Sequence, residues 1–145
     1  MKKSDFEAPV KSLLFVCYGN TCRSPMAEGL AKKLLPDHVD IESAGLSPVF
    51  EGAVEEAVEI MKDLYGVDIS AHRTRSTAAV EPERFDYIIV LDTGVHEMLK
   101  YRYPHLLDRM SLWDIPDPFD QDWETYKRTA EKISQLIQKK LVPLY

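Results

Sequence analysis

The chain has 145 residues, of which 45% are hydrophobic, so it is long enough for one globular domain with a substantial core. Its formal net charge is −6, which argues against general affinity for nucleic acid and means that any anion must be held by local groups. The two cysteines, Cys17 and Cys22, lie within one loop, which excludes a disulfide scaffold and predicts a reducing, cytoplasmic setting. No apolar run is long enough to span a bilayer, so no membrane partner is expected.

Residues 1–10 are predicted to form an N-terminal tail, and residues 11–145 a single domain. The first seven residues lack the apolar segment that a secretion signal needs. A terminus of this composition is usually poorly ordered unless other parts of the chain hold it.

The first predicted strand is a short apolar run over 11–16 that ends at Cys17. A helix is predicted from Pro25 to about Leu35, because proline suits the first helical position and Ser24 can cap the helix. The loop 17–25 therefore joins the carboxyl end of a strand to the start of a helix. Residues 39–43 alternate apolar and polar side chains, which predicts a short edge strand.

The rest of the chain continues to alternate helices and strands. A second helix is predicted over 52–65 with Gly66 as its C-terminal signal, and a short helix within 76–80. Residues 87–91 form the clearest buried strand, and a helix over 93–101 follows it. The sequence pattern for a fourth strand within 106–112 is weak. The last helix is predicted over 123–140.

This alternation predicts the α/β class, with a parallel sheet, right-handed crossovers and helices on both faces, which is a three-layer α/β/α arrangement. Ligands of such sheets bind beyond the carboxyl ends of the strands. The loop after the first strand lies at that edge, so we expect it to carry the functional site.

The loop has the composition of an anion-binding site. Its free N–H groups converge beside a helix N-terminus, which carries a partial positive charge. Gly19 and Asn20 tolerate positive φ, and Arg23 offers a planar fork that suits two phosphate oxygens. The predicted phosphate-binding loop consists of Cys17, Tyr18, Gly19, Asn20, Thr21, Cys22, Arg23 and Ser24.

A cysteine at the base of such a loop can become a nucleophile. A thiol pKa of about 8.5 can fall to roughly 3.5–7.5 beside a helix N-terminus and cations. The alternative is a buried, inert cysteine at a strand end, which is common in proteins. The combination of strand, cysteine, five-residue gap, Arg-Ser-Pro and helix favours the nucleophile.

At these residues the chain resembles the low-molecular-weight protein tyrosine phosphatases. The family pattern Cys-x-Gly-Asn-x-Cys-Arg-Ser-Pro-x-Ala-Glu is matched from Cys17 to Glu28, and the resemblance continues at 43–45, 68–73 and 117–119. It spans nearly the whole chain after the first ten residues. The resemblance implies a flavodoxin-like fold with four parallel strands in the order 2-1-3-4, of the phosphotyrosine protein phosphatase I type.

The resemblance also implies the reaction, which is hydrolysis of phosphotyrosine through a phosphocysteine intermediate on Cys17. Arg23 would bind the phosphoryl group, and Asp117, in an Asp-Pro-aromatic motif, would be the general acid. The pattern alone does not separate Asp117 from its neighbours, because Asp-Pro is a common turn starter. The expected partners are a phosphorylated protein or peptide and inorganic phosphate, with no metal and no cofactor. The competing carboxylates are Asp114, Asp120 and Asp122.

Other side chains are expected to support the loop. Ser24 can hydrogen-bond the Cys17 thiolate and ease its departure in the second chemical step. Asn20, Ser43 and His72 match family positions that brace the loop through hydrogen bonds. Taken by itself, His72 would be an ordinary loop histidine, so its bracing role rests on the resemblance.

Cys22 has two interpretations that the sequence leaves open. It can form a reversible disulfide with Cys17 that protects the nucleophile from over-oxidation, or it can be a small buried residue. Zinc binding by the two cysteines and His72 is disfavoured, because a fourth ligand and a recognised spacing are absent.

The predicted substrate pocket departs from the tyrosine-specific pattern, which lines a deep slot with aromatic side chains. Here Val49 and Phe50 follow the Ser-Ala-Gly segment, and Phe119 is followed by Asp120 rather than a second aromatic residue. A phenyl ring would lose some stacking. Thr21 completes the predicted pocket, and a bacterial branch that the chain resembles, the protein arginine phosphatases, carries threonine at that position.

Phosphotyrosine is the leading interpretation of the substrate and phosphoarginine the alternative, because one hydroxyl discriminates only modestly. A third hypothesis is an arsenate reductase, which shares the fold and loop but completes its cycle with cysteines that this chain lacks after Cys22. A thiol-redox sensor or a phosphopeptide-binding module is disfavoured by the intact set of Cys17, Arg23 and Asp117.

Overall fold

The computed structural model describes residues 10–145, which form a parallel sheet enclosed by helices. The strands are β1 (Ser12–Cys17), β2 (Asp40–Gly45), β3 (Tyr87–Val90) and β4 (Met110–Leu112), in the order β2-β1-β3-β4. The helices are α1 (Arg23–Leu34), α2 (Glu55–Tyr65), α3 (Thr77–Val80), α4 (Thr93–Arg102) and α5 (Trp123–Lys140). The predicted α/β class and strand order are thereby confirmed.

β1 lies inside the sheet, between β2 and β3, and is parallel to both. Leu13 and Phe15 pack in a core with α1, α2 and α5, whereas Leu14 and Val16 pack in a second core with α3 and α4. Both faces of β1 are therefore buried. This explains why its sequence is a continuous apolar run instead of an alternation of apolar and polar residues.

α5 has the predicted bounds and buries a stripe of apolar side chains. Tyr126, Ile133 and Ile137 are at most 1% exposed, and they face α1 and α2. Asp122 caps the helix by accepting a hydrogen bond from the Thr125 N–H at 2.9 Å. Since one such buried apolar side chain contributes roughly 1.5–3 kcal/mol, this stripe attaches the helix firmly to the domain.

The start of α1 differs from the prediction. The helix begins at Arg23, two residues before Pro25, and its N-cap residue is Cys22, which makes no side-chain cap hydrogen bond. Ser24 therefore does not cap the helix. Its hydroxyl is directed at the Cys17 sulfur instead, because the loop curls back over the end of β1.

Two other boundaries shift by a few residues. β2 extends to Gly45, because Gly45 pairs with Cys17 at the end of the ladder. α2 begins at Glu55, three residues later than predicted. Its end is as predicted, with Gly66 in the left-handed conformation at φ 66°.

The predicted tail, residues 1–10, lies outside the described residues except for Val10, so its conformation stays a prediction. Val10 is 7% exposed, and its carbonyl accepts a hydrogen bond from the Tyr145 hydroxyl, so this residue belongs to the packed domain. Within residues 10–145, no helix combines the length and the apolar character that crossing a membrane requires.

Candidate active site

The loop between β1 and α1 turns its carbonyl groups outward. Neighbouring segments donate hydrogen bonds to these carbonyls: Leu46 N–H to Cys17 (3.0 Å), Ser47 N–H to Tyr18 (2.9 Å) and Val54 N–H to Thr21 (3.0 Å). The N–H groups of four loop residues donate to no protein atom within 10–145; they belong to Tyr18, Gly19, Thr21 and Cys22. A loop held by its carbonyls leaves its N–H groups available for an anion.

Cys17, the predicted nucleophile, lies at the base of this loop and is 2% exposed. Its Sγ is 3.0 Å from the Ser24 Oγ and accepts a hydrogen bond from the Asn20 N–H at 3.2 Å. Donors aimed at a sulfur stabilise negative charge on it.

Asn20 organises the inner side of the loop. Its Oδ1 accepts a hydrogen bond from the Arg75 N–H at 2.9 Å, which sets the orientation of the amide. The Nδ2 then donates to Ser24 Oγ at 2.8 Å and to Ser43 Oγ at 3.0 Å. Because Ser24 accepts from Asn20, its own hydroxyl proton is free to point at the Cys17 sulfur.

Ser43 and His72 complete this network. The Ser43 hydroxyl donates to Glu28 Oε1 at 2.6 Å, and the His72 Nε2 lies 2.9 Å from the Asn20 carbonyl. Since a carbonyl only accepts, His72 carries a proton on Nε2. Burial lowers the pKa of His72 below its ordinary value, so the ring is neutral at neutral pH. The structure therefore brings all four predicted bracing residues together around Asn20.

Arg23 is buried at 2% exposure and held mainly through one nitrogen. Nη1 donates to Asp92 Oδ2 at 3.0 Å, to the Ile115 carbonyl at 2.9 Å and to the Leu91 carbonyl at 3.3 Å. Nε is fully buried and has no hydrogen-bond partner among the described residues. A buried donor of this kind costs free energy unless a partner satisfies it, so an anion bound by the loop would be a suitable partner for the guanidinium.

Asp92, which the sequence reasoning did not identify, fixes the position of Arg23. It is the N-cap of α4 and accepts a hydrogen bond from the Val95 N–H at 3.1 Å. Burial raises the pKa of Asp92, but the hydrogen bonds from Val95 and Arg23 outweigh it and leave the pKa lowered. The sequence feature that could have identified Asp92 is its position directly after a strand, at the carboxyl edge of the sheet.

Asp117, the predicted general acid, lies beside Arg23. Its Oδ2 is 3.6 Å from Arg23 Nη2, and its side chain is 50% exposed. Its Oδ1 accepts a hydrogen bond from the Phe119 N–H at 3.0 Å. Within the described residues it is the one carboxylate that lines the cleft above the loop, which separates it from Asp114, Asp120 and Asp122.

The cleft has a volume of about 290 Å³ and brings together most of the predicted pocket. Thr21, Val49, Phe50 and Phe119 line it, together with Ser47, which the sequence reasoning missed. The Phe50 and Phe119 rings stack with centroids 5.8 Å apart. Asp120 does not line the cleft and lies on the exposed side of the loop at φ 63°.

Cys22 is buried at 3% exposure, and its Sγ lies 3.5 Å from the Tyr126 hydroxyl on α5. Burial raises the pKa of Cys22, and the hydrogen bonds from Tyr126 and Thr21 only partly offset this. Both thiols are free in this structure. Cys22 is therefore a protonated, packed thiol here, and its disulfide with Cys17 stays a prediction.

Gly45 has a structural role that local sequence patterns do not reveal. A Cβ added at Gly45 would lie 2.9 Å from the Asn20 nitrogen and 2.9 Å from the Gly19 carbonyl carbon. The phosphate-binding loop therefore packs directly on the backbone of β2. Gly19, in contrast, is not in the left-handed conformation, and Asn20 alone in the loop has positive φ, at 59°.

Comparison with known proteins places this site in a family. The model described as "Low molecular weight phosphotyrosine protein phosphatase" matches residues 12–144. The "Probable low molecular weight protein-tyrosine-phosphatase EpsP" of Ralstonia nicotianae is 33% identical over 133 residues, which cover 87% of this chain and 90% of that protein. "Arsenate reductase 1" of Staphylococcus haemolyticus is 30% identical over 129 residues, covering 89% and 93%.

Solved structures agree with these matches. The low molecular weight protein tyrosine phosphatase from T. tengcongensis has a TM-score of 0.83 and 37% identity, covering 92% of this chain and 99% of its own. The YwlE arginine phosphatase from Geobacillus stearothermophilus has a TM-score of 0.82 and 28% identity, covering 92% and 91%. The fold and these relatives define a phosphatase enzyme. The chain belongs to the low-molecular-weight phosphotyrosine protein phosphatase family.

Proposed function

We propose that this protein is a protein tyrosine phosphatase that hydrolyses phosphotyrosine in a protein or peptide through a phosphocysteine on Cys17. One observation carries the proposal: a buried sulfur lies at the base of a loop in which four N–H groups, together with Arg23 Nε, have no partner within the described residues. Phosphate oxygens are the ligands that satisfy such a set of donors.

In the first step, the loop N–H groups and Arg23 hold the three equatorial oxygens of the phosphoryl group. The Cys17 sulfur attacks phosphorus in line, so that the sulfur–phosphorus bond forms as the bond to the tyrosine oxygen breaks. Asp117 donates its proton to that leaving oxygen. Donors fixed before the reaction stabilise the charge that spreads over the phosphoryl oxygens.

In the second step, water attacks phosphorus and the sulfur–phosphorus bond breaks, which releases inorganic phosphate. Asp117, now ionised, accepts a proton from the attacking water. The Ser24 hydroxyl, 3.0 Å from Sγ, stabilises the departing thiolate. The cycle needs a free Cys17 thiol, so a reducing setting such as the cytoplasm suits it.

The test is turnover of p-nitrophenyl phosphate by the wild type and by Cys17→Ser. We expect the variant to lose turnover while its circular dichroism and unfolding midpoint stay close to those of the wild type. Cys22→Ser is the matched control, because it removes the other thiol and leaves the nucleophile in place. Retained turnover in Cys17→Ser would refute the assignment of the nucleophile.

A second candidate function, phosphoarginine hydrolysis, is favoured by Thr21. Thr21 is 6% exposed and lines the cleft, where its hydroxyl suits a polar guanidinium better than a phenyl ring. Rates on phosphotyrosine and phosphoarginine peptides of the same sequence decide between the two. Thr21→Ile should move the ratio toward phosphotyrosine by about tenfold, and an unchanged ratio would remove Thr21 from the specificity argument.

Arsenate reduction is the weaker alternative, although arsenate reductases are among the relatives. The chain contains no cysteine after Cys22, so such a cycle would need a thiol from another molecule. A redox sensor without catalysis would not need Asp117 at the cleft. Absence of p-nitrophenyl phosphate turnover, combined with thiol-dependent arsenate reduction, would reverse this preference.

A further inference from the structure

One third of the acidic residues of the chain lie in two segments that contribute side chains to the cleft. Two segments border the cleft, 49–56 after β2 and 113–124 after β4, and we call them the acidic rim. The rim contains eight carboxylates and no lysine or arginine: Glu51, Glu55, Glu56, Asp114, Asp117, Asp120, Asp122 and Glu124.

The rest of the chain does not share this bias. Outside the rim, residues 10–145 contain sixteen lysines and arginines and fourteen aspartates and glutamates. Acidic side chains elsewhere are commonly paired, as in Glu28 with Lys32 and Glu42 with Arg84. In the rim, Asp117 alone forms an ion pair within the described residues. The rim thus presents seven carboxylates without a cationic partner from that part of the chain.

The two halves of the rim meet across the cleft. Phe50 and Phe119 are 56% and 43% exposed, and their stacked rings join the segments at the pocket wall. On the proposed function, a peptide whose phosphorylated side chain enters the cleft passes beside this aromatic pair. Its flanking residues then lie above the carboxylates, since two to four residues span roughly 7–14 Å.

Arg23, at the base of the cleft, gives independent evidence about the charge of the ligand. Arg23 is 2% exposed, and its Nε has no partner within the described residues. The base of the cleft therefore suits an anion, although the two rim segments carry eight carboxylates and no lysine or arginine. A ligand that satisfies both regions has an anionic centre and cationic flanks.

We infer that the substrate of this site is a phosphorylated protein segment with lysine or arginine on both sides of the phosphorylated residue. The inference rests on the proposed function and names the class of substrate for it. The rim carboxylates attract the basic flanks, and they repel the acidic flanks that surround many phosphorylated residues. Each exposed pair contributes little, so the selectivity comes from several carboxylates acting together.

The first test compares three phosphotyrosine peptides of equal length that carry lysine, glutamine or glutamate at the same flanking positions. We expect kcat/KM to be about three- to tenfold higher for the lysine peptide than for the glutamine peptide, and lower for the glutamate peptide. The differences should largely disappear in about 0.5 M salt, where charges are screened within a few ångströms. Equal rates at low salt, or a preference for glutamate, would overturn the inference.

The second test locates the preference at the rim. The triple variant Glu51→Gln, Asp114→Asn and Glu124→Gln should reduce the lysine-to-glutamine ratio by at least half. The matched control Asp37→Asn, Asp63→Asn and Asp108→Asn removes the same charge from loops and a helix end at the opposite edge of the sheet, and should keep the ratio. An equal loss in both variants would show an effect of net charge and overturn the assignment to the rim.

Turnover of p-nitrophenyl phosphate distinguishes a failure of this inference from a failure of the proposed function. This substrate has no flanks, so its hydrolysis together with indifference to peptide flanks would overturn the rim inference alone. If neither p-nitrophenyl phosphate nor any phosphotyrosine or phosphoarginine peptide is hydrolysed, the proposed function fails and the inference fails with it.

Discussion

The carboxylate of Asp117 is half-exposed and lies 3.6 Å from the Arg23 guanidinium. This position fits the proposed role of general acid, in which Asp117 protonates the oxygen that leaves the phosphoryl group and solvent returns the proton. Asp114 lies three residues away in the same segment but does not line the cleft. Asp114 can therefore serve as the control when Asp117 is tested as the general acid.

Asp117→Asn should slow the hydrolysis of phenyl phosphate by about 10²–10⁴-fold but slow that of p-nitrophenyl phosphate far less. A poor leaving group needs the proton, whereas p-nitrophenolate leaves without it. Steady-state kcat on both substrates measures the effect, and Asp114→Asn is the control. Equal losses on the two substrates would assign the proton transfer to another group.

The pKa of His72 is lowered mainly by burial. The unfolded chain then binds the proton more tightly than the folded chain, so stability should fall as pH drops from about 6.5 towards 5. His72→Asn cannot titrate, so its free energy of unfolding should fall less over this range.

Urea unfolding across this pH range measures how steeply the free energy of unfolding changes with pH in the wild type and in His72→Asn. The contribution of His72 should stay below the limit of about 1.4 kcal/mol per pH unit, because its ring is only partly buried. Parallel curves for the wild type and His72→Asn would contradict the prediction.

At the scale of elements, the end of β2 supports the phosphate-binding loop. Gly45 pairs with Cys17 in the sheet and donates a hydrogen bond to the Arg75 carbonyl at 2.8 Å. It leaves no room for a side chain beneath Gly19 and Asn20. The strand therefore determines the height of the loop above the sheet, and with it the position of every N–H group that faces the cleft.

Gly45→Ala should lower kcat/KM by about a hundredfold, since a displacement on the order of 1 Å has that effect in enzymes. The added methyl group meets loop backbone, so the variant should also be less stable by about 1–3 kcal/mol. Gly29→Ala is the matched control, because its new methyl group meets the side chains of Ile69, Val67 and Met61 instead. Wild-type activity in Gly45→Ala would show that the loop does not depend on this contact.

At the scale of the whole molecule, the site lies where two cores meet. Cys17 belongs to the core formed with α1, α2 and α5, while its neighbour Val16 belongs to the core on the other face of the sheet. Arg23 connects the loop to the ends of β3 and β4 through the Leu91 and Ile115 carbonyls. An anion that satisfies the loop therefore stabilises contacts that hold both sides of the fold together.

Phosphate should consequently raise the stability of the whole domain. At a concentration of about 100 times its Kd, it should increase the free energy of unfolding by about 2.7 kcal/mol, because it binds the folded state alone. Thermal or urea unfolding at matched ionic strength measures this, with chloride as the control salt. Equal stability in phosphate and chloride would mean that the loop does not bind the anion.

Much of the site could be predicted from sequence because its residues are local or carry a pattern. The loop from Cys17 to Ser24 is contiguous, its strand is continuously apolar, and α5 shows a clear helical stripe. Asp117 could be distinguished from its neighbours only by the family resemblance. Asp92 and Ser47 were missed, because in the sequence an aspartate and a serine after strands resemble ordinary loop residues. The fold brings Asp92 to Arg23 and Ser47 to the cleft.

Local sequence patterns were enough to predict the α/β class, and the family pattern predicted the strand order and the cysteine, arginine and loop of the candidate site. Three features became visible in the folded chain: Ser24 contacts the sulfur instead of capping α1, Gly45 supports the loop, and the two rim segments contribute to one cleft. The physical reason is that hydrophobic periodicity and turn chemistry act between near neighbours along the chain. Hydrogen bonds, close packing and charge act between neighbours in space, and the fold alone determines those.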